Sequence, residues 1–192
     1  MPSPVLRFLL TASLLWLSWL TMMIVHESGH VLGARCSGGI VRRVVWHPAV
    51  ISRTDVQPNP HPLVEVWAGP LVGSLAPLIL ALLSSLLQLR ITYLVSAVAG
   101  FCLVANGAYI GIGSIDPVGD AQELLALGMP RWPMALFGAA AVTAGIWIWH
   151  RISPRFGFSA TPVPIDARDA FGTFVVALLV TAAGIALGDR GA

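Results

Sequence analysis

The run His26-Glu27-Ser28-Gly29-His30 places two imidazoles and a carboxylate at a spacing that suits metal-assisted hydrolysis. On a helix, residues four apart lie on one face, one turn above the other. His26 and His30 can then aim at a single ion, while Glu27 reaches a water beside it. A zinc ion held by two histidines and a further protein ligand keeps a position open for water and lowers that water's pKa to about 7. Glu27 is the expected general base: it takes the proton as a carbonyl is attacked and later hands it to the leaving amine. Gly29 keeps the helix surface low, so that another segment or a substrate can come close. The competing reading is a solvated polar pair at a helix end. The surroundings argue against it, because Phe8–Val25 directly upstream carries no charge. An ionisable side chain at membrane depth costs roughly 2.5–3.5 kcal/mol, and a bound metal would compensate it.

Two histidines do not complete such a centre. Outside the motif the candidates are Asp55, Glu65, Asp116, Asp120, Glu123, His47, His61 and His150. Asp120 is the best placed. It follows Gly119 and opens Ala121-Gln122-Glu123-Leu124-Leu125-Ala126-Leu127, a run of good helix formers. A helix N-terminus favours a carboxylate there, although an aspartate in that position is also an ordinary cap. Asp116 precedes Pro117, which favours extended or turn geometry and keeps that carboxylate in a loop.

The elements that must position these groups follow from the apolar runs, since about 20 apolar residues cross a bilayer. Five runs qualify: Phe8–Val25 continuing into the motif, Val66–Leu89, Ile91–Ile115, Pro133–Trp149 and Ala170–Leu187. The fourth is the shortest. The expected fold is an all-α membrane protein of about five transmembrane helices, with a short β-hairpin-like insertion after the first and a short helix after the third. Gly38 to Pro62 is rich in Val and Ile and bounded by glycines and prolines, which predicts a pair of short strands. The stretch from His150 to Arg168 is proline-rich and basic and reads as a solvated connector. The whole chain, 1–192, reads as one membrane domain, with a core over 8–128 and accessory spans over 133–188.

Composition supports this independently. The chain is 56% hydrophobic and 10% charged, where soluble domains are about 25% charged. The basic residues are all arginine, in small clusters between apolar runs. That distribution speaks of membrane topology and not of nucleic acid, and nothing points to a partner subunit. Cys36 and Cys102 fit neither a disulfide framework nor a paired metal-ligand spacing, so both read as packing residues. Arg7 ahead of an apolar run resembles a signal peptide, but no small-residue cleavage site follows, and an uncleaved first span is expected. Five crossings put Arg7, Arg90, Arg151, Arg155 and Arg168 on one side. Arg35, Arg42, Arg43, Arg53, Arg131 and Arg190 fall on the other, a near balance that leaves charge unable to set orientation.

In order, the first span, the motif, the strand-like stretch, Gly69-Pro70, Asn106 and Gly119-Asp120 resemble the site-2 protease family of intramembrane zinc metalloproteases. The resemblance covers residues 8 to 128. It departs from the family pattern at Gly73-Ser74, at Tyr109 and at Ala121. It implies one Zn2+ ion held by His26, His30 and Asp120, Glu27 as general base, and Asn106 as a contact to substrate or transition state. It further implies peptide-bond hydrolysis in or near transmembrane segments of other membrane proteins. The expected location is the inner (plasma) membrane, with the strand-like stretch on the cytoplasmic side. That stretch, Val41 to Val50 and above all Val44, Val45 and Trp46, could hold substrate extended by edge-strand addition. A hairpin that only plugs the cavity mouth is the equal alternative. Trp46, His47, Arg42 and Arg43 also suit interfacial anchoring. Two other classes remain open: a different membrane metalloprotease with Glu65 or Glu123 as third ligand, and a non-catalytic metal-binding membrane protein.

Overall fold

A computed structural model of the chain describes residues 3–159 and 163–188. In chain order it contains α1 (Pro4–Cys36), β1 (Val41–Val45), β2 (Arg53–Val56), α2 (Pro62–Leu86), α3 (Thr92–Gly113), α4 (Gly119–Ala126), α5 (Arg131–Ile152) and α6 (Ala167–Leu187), with a 3-10 turn at Ser153–Phe156. Helices α1, α2, α3, α5 and α6 are each long and apolar enough to cross a membrane. The fold is that of an all-α membrane protein with a two-stranded antiparallel insertion. The fourth span is longer than its apolar run, because its helix starts at Arg131, ahead of Pro133, and ends at Ile152.

Contacts at the helix ends fix the topology. At one end, Arg90 pairs with Asp166 at 3.1 Å and with Asp169, and the Arg155 guanidinium lies over the Tyr93 ring. At the other end, a side chain on Gly184 of α6 would meet Pro48, just beyond β1. The hairpin and α4 share this second end with the C-terminal half of α1. Arg190 lies outside the described residues, as do 160–162 of the connector. The rest of that connector is less solvated than its composition suggests: Phe156 and Ile165 are buried with Leu10, Leu14, Ala97 and Ala170. Their apolar side chains close the first end of the bundle, which polar composition alone could not reveal.

Small residues let the helices approach closely. Gly107 and Gly111 of α3 face Gly138 of α5, and a Cβ on Gly111 would come within 2.9 Å of the Gly138 Cα. Such close backbone approach is the usual basis of helix association in lipid, where no hydrophobic force joins the helices. Gly138→Ala should therefore destabilise the bundle by about 1–3 kcal/mol through overpacking, read as a lower unfolding midpoint in detergent. Between α1 and α2 the same device serves the motif. Gly29 and Gly33 rest on the α2 backbone around Ala68, and a Cβ at Gly69 would fall onto the His30 ring. The segment that the low surface at Gly29 admits is α2. Cys102 is buried in α3 as a packing residue, whereas Cys36, at the end of α1, is exposed.

Candidate metal centre

His26 and His30 lie roughly 15 and 9 Å in from the C-terminal end of α1, at 1.5 Å per residue. Both are buried. Their Nε2 atoms are 3.1 Å apart, and Asp120 Oδ2 lies 3.0 Å from the first and 3.3 Å from the second. Among the described residues, these three form the group of histidine and acidic side chains arranged to hold a metal ion.

The partners of the two Nδ1 atoms decide what the triangle contains. Asn106 Nδ2 donates to the Cys102 carbonyl at 2.9 Å, which leaves Oδ1 facing His26 Nδ1 at 2.6 Å. An amide oxygen can only accept, so His26 Nδ1 carries the proton. His30 Nδ1 donates to the Glu65 carbonyl at 3.1 Å, and Glu65 Oε1 stands 2.9 Å from the same nitrogen. In its neutral form each ring, with its proton on Nδ1, turns a bare Nε2 lone pair toward the Asp120 carboxylate. Three converging lone pairs repel one another unless a cation or a shared proton sits among them. Outer acceptors that fix the tautomer in this way are the usual support of metal-bound histidine.

Glu65 stands in the first turn of α2, buried, and its second oxygen accepts from Asn59 Nδ2 at 3.3 Å. It faces the Nδ1 side of His30, away from the triangle. Its place is behind His30, outside the group of converging atoms, which removes it as the third vertex. Glu65→Ala should lower metal affinity about ten- to hundredfold, the cost typical of losing such an outer partner, measured by competition with a chelator of known affinity. Asn106, almost fully buried, holds the matching position behind His26 and also lines the cavity in front of it.

Asp120 reaches the triangle because α4 is pinned from two directions. Ala121 and Leu124, three apart on one face, are fully buried with Val66, Ile110 and Met134. Burying one leucine is worth about 1.5–3 kcal/mol. The Asp120 backbone N–H donates to the Tyr109 hydroxyl at 3.0 Å. Gly119 has φ +53, and a Cβ there would collide with that same hydroxyl, so both the backbone conformation and the space require glycine. Tyr109 also sets its ring edge-on to His26, with centroids 5.9 Å apart. Burial, then the charges of Glu65 and Asp120, pushes the neighbouring Glu123 carboxyl up. Asp116 is exposed in the loop before α4.

Glu27 is 3% exposed and borders the same cavity as the triad, a space of about 1270 Å³. Trp19, Met22, Met23, His26, Glu27 and His30 line its α1 wall, a stripe at helical spacing that runs deeper into the bundle. Strand β2 borders the cavity along its whole length, and β1 only at Arg42. Arg53 to Val56 and the preceding turn line the space, whereas Val44, Val45 and Trp46 do not. Val44 pairs with Thr54 and Val45 with Arg53 from the far side of the ladder, Val45 is fully buried, and the Trp46 ring lies toward Gly184 of α6. Strand-forming composition located the hairpin but could not tell which strand faces the site.

Comparison with protein-family models, with curated proteins and with solved structures finds no match to this chain.

Proposed function

We propose that the protein is an intramembrane zinc metallopeptidase that hydrolyses peptide bonds in or near the transmembrane segments of other membrane proteins. The observation that carries this reading is the triangle of His26 Nε2, His30 Nε2 and Asp120 Oδ2, with both histidines on the membrane-length helix α1 and Asp120 in the first turn of α4, sharing one cavity with the buried Glu27. Zinc bonds to nitrogen and carboxylate oxygen at about 2.0–2.2 Å, so neighbouring ligands of a tetrahedral ion stand about 3.3 Å apart. The three separations of 3.0–3.3 Å fit one such ion with little rearrangement. Two imidazoles with a carboxylate suit zinc in its catalytic form, with three protein ligands and one open position. When bound, zinc would lower the pKa of water and polarise a carbonyl.

The chain's own residues supply the rest. Asn106 and Glu65 keep both ring protons on Nδ1. Asp120 completes the donor set, and Glu27 takes the proton of the attacking water and returns it to the departing amine. Metal carriage needs ligands but no such base, so a carboxylate buried beside the triad favours hydrolysis over storage. The stripe from Trp19 to His30 lets an apolar segment lie along α1, in keeping with a membrane-protein substrate. The resemblance of the motif series to site-2 proteases points the same way, and with it to a plasma-membrane location with the hairpin end cytoplasmic.

Purified protein reconstituted in lipid vesicles with candidate transmembrane peptides tests this reading. Cleavage should stop on chelation and return with zinc alone. A zinc-loaded protein that cleaves nothing, or cleavage indifferent to chelation, would remove it.

A further inference from the structure

Resting on that reading, we propose that Thr54 is a positioning residue for Glu27, so that the hairpin sets the orientation of the base. Thr54 sits in the four-residue strand β2, and its Oγ1 donates to Glu27 Oε2 at 2.7 Å. The same oxygen lies 3.4 Å from the Glu27 carbonyl, which places the hydroxyl over the helix at that residue. Alternation along the strand supports the assignment. Arg53 and Asp55 point to the opposite face, where they approach each other at 3.4 Å, leaving Thr54 directed at α1.

The chemistry suits the role. A threonine has one proton to give. Spending it on Oε2 fixes the carboxylate plane and leaves Oε1 free to receive a proton from water. An arginine or lysine in this place would also orient the carboxylate, but its full positive charge would make Glu27 a weaker base. A hydroxyl orients it without placing a formal charge beside it. Because the donor rides on β2, which borders the cavity, displacement of the strand turns the base out of alignment. Strand and base are one mechanical unit.

Thr54→Val keeps the shape and removes the donor, whereas Thr54→Ser keeps the donor. With a transmembrane peptide that the wild type cleaves, T54V should lower kcat about ten- to hundredfold, the range of a hydrogen bond to a charged group. KM and zinc content should stay near wild type, and T54S should stay within about twofold of wild-type kcat. A readout independent of turnover is the infrared carboxylate band of Glu27 in metal-free protein, identified by its loss in E27Q. That band should shift in T54V and stay in place in T54S. If T54V fails to fold, Thr54→Ala replaces it with the same expectations. Wild-type kcat in T54V, a KM effect alone, an unmoved carboxylate band, or T54S as impaired as T54V would each overturn the assignment of Thr54. An inactive zinc-loaded wild type would instead overturn the peptidase reading beneath it.

Discussion

Glu27→Gln should lower kcat by about 10²–10⁴-fold, the usual contribution of a general base, while zinc content stays at the wild-type level. The side chain keeps its size and one acceptor oxygen for Thr54, which donates to it at 2.7 Å. What is lost is the capacity to hold a proton. Glu27 stands next to His26 in sequence but outside the triangle of converging atoms, so the metal should not notice the change. Parallel zinc analysis and cleavage kinetics on the same preparation decide it. Undiminished turnover would remove Glu27 from the chemistry, and loss of zinc would make it a ligand.

Asp120→Ala should cost metal and activity together, and His26→Ala should do the same. Removing one of three ligands leaves two lone pairs that cannot hold a zinc ion against water, so binding should fall below detection in a dialysed sample. The control lies four residues away. Asp116 is exposed in the loop, and Asp116→Ala should retain both metal and turnover. The α4 helix should survive in D120A, because Ala121 and Leu124, which anchor it, are untouched. Metal loss in D116A with metal retained in D120A would reverse the assignment.

Much of this architecture is written locally in the sequence. Five apolar runs far exceed the length of ordinary core helices, and the histidine pair sits at a spacing with a direct geometric meaning. Asp120 was legible for the same reason, since Gly119 and the helix formers after it announce a helix start. What the sequence hid depends on contacts between distant segments. Glu65 stood only as a possible third ligand and Asn106 only as a substrate contact implied by the resemblance; their contacts with His30, 35 residues away, and with His26, 80 away, come from helix packing that no local pattern encodes. Tyr109 anchors the backbone of Asp120 although nothing in its neighbourhood marks it. The hairpin was visible in its valines, yet which strand meets the cavity follows from the turn at Pro48 and the docking of Trp46 toward α6. Thr54 was hidden with it: a threonine in a strand is unremarkable until a buried carboxylate is found opposite.

The whole account rests on a metal at the triangle of His26, His30 and Asp120, and X-ray absorption at the zinc edge of the purified protein tests this most directly. One zinc per chain is expected, with a first shell of nitrogen and oxygen at about 2.0–2.2 Å. Multiple scattering should count two imidazoles, and the zinc signal should be lost from dialysed His30→Ala as from His26→Ala. Absence of stoichiometric zinc from protein supplied with it, or a shell containing sulfur or no imidazole, would contradict the account.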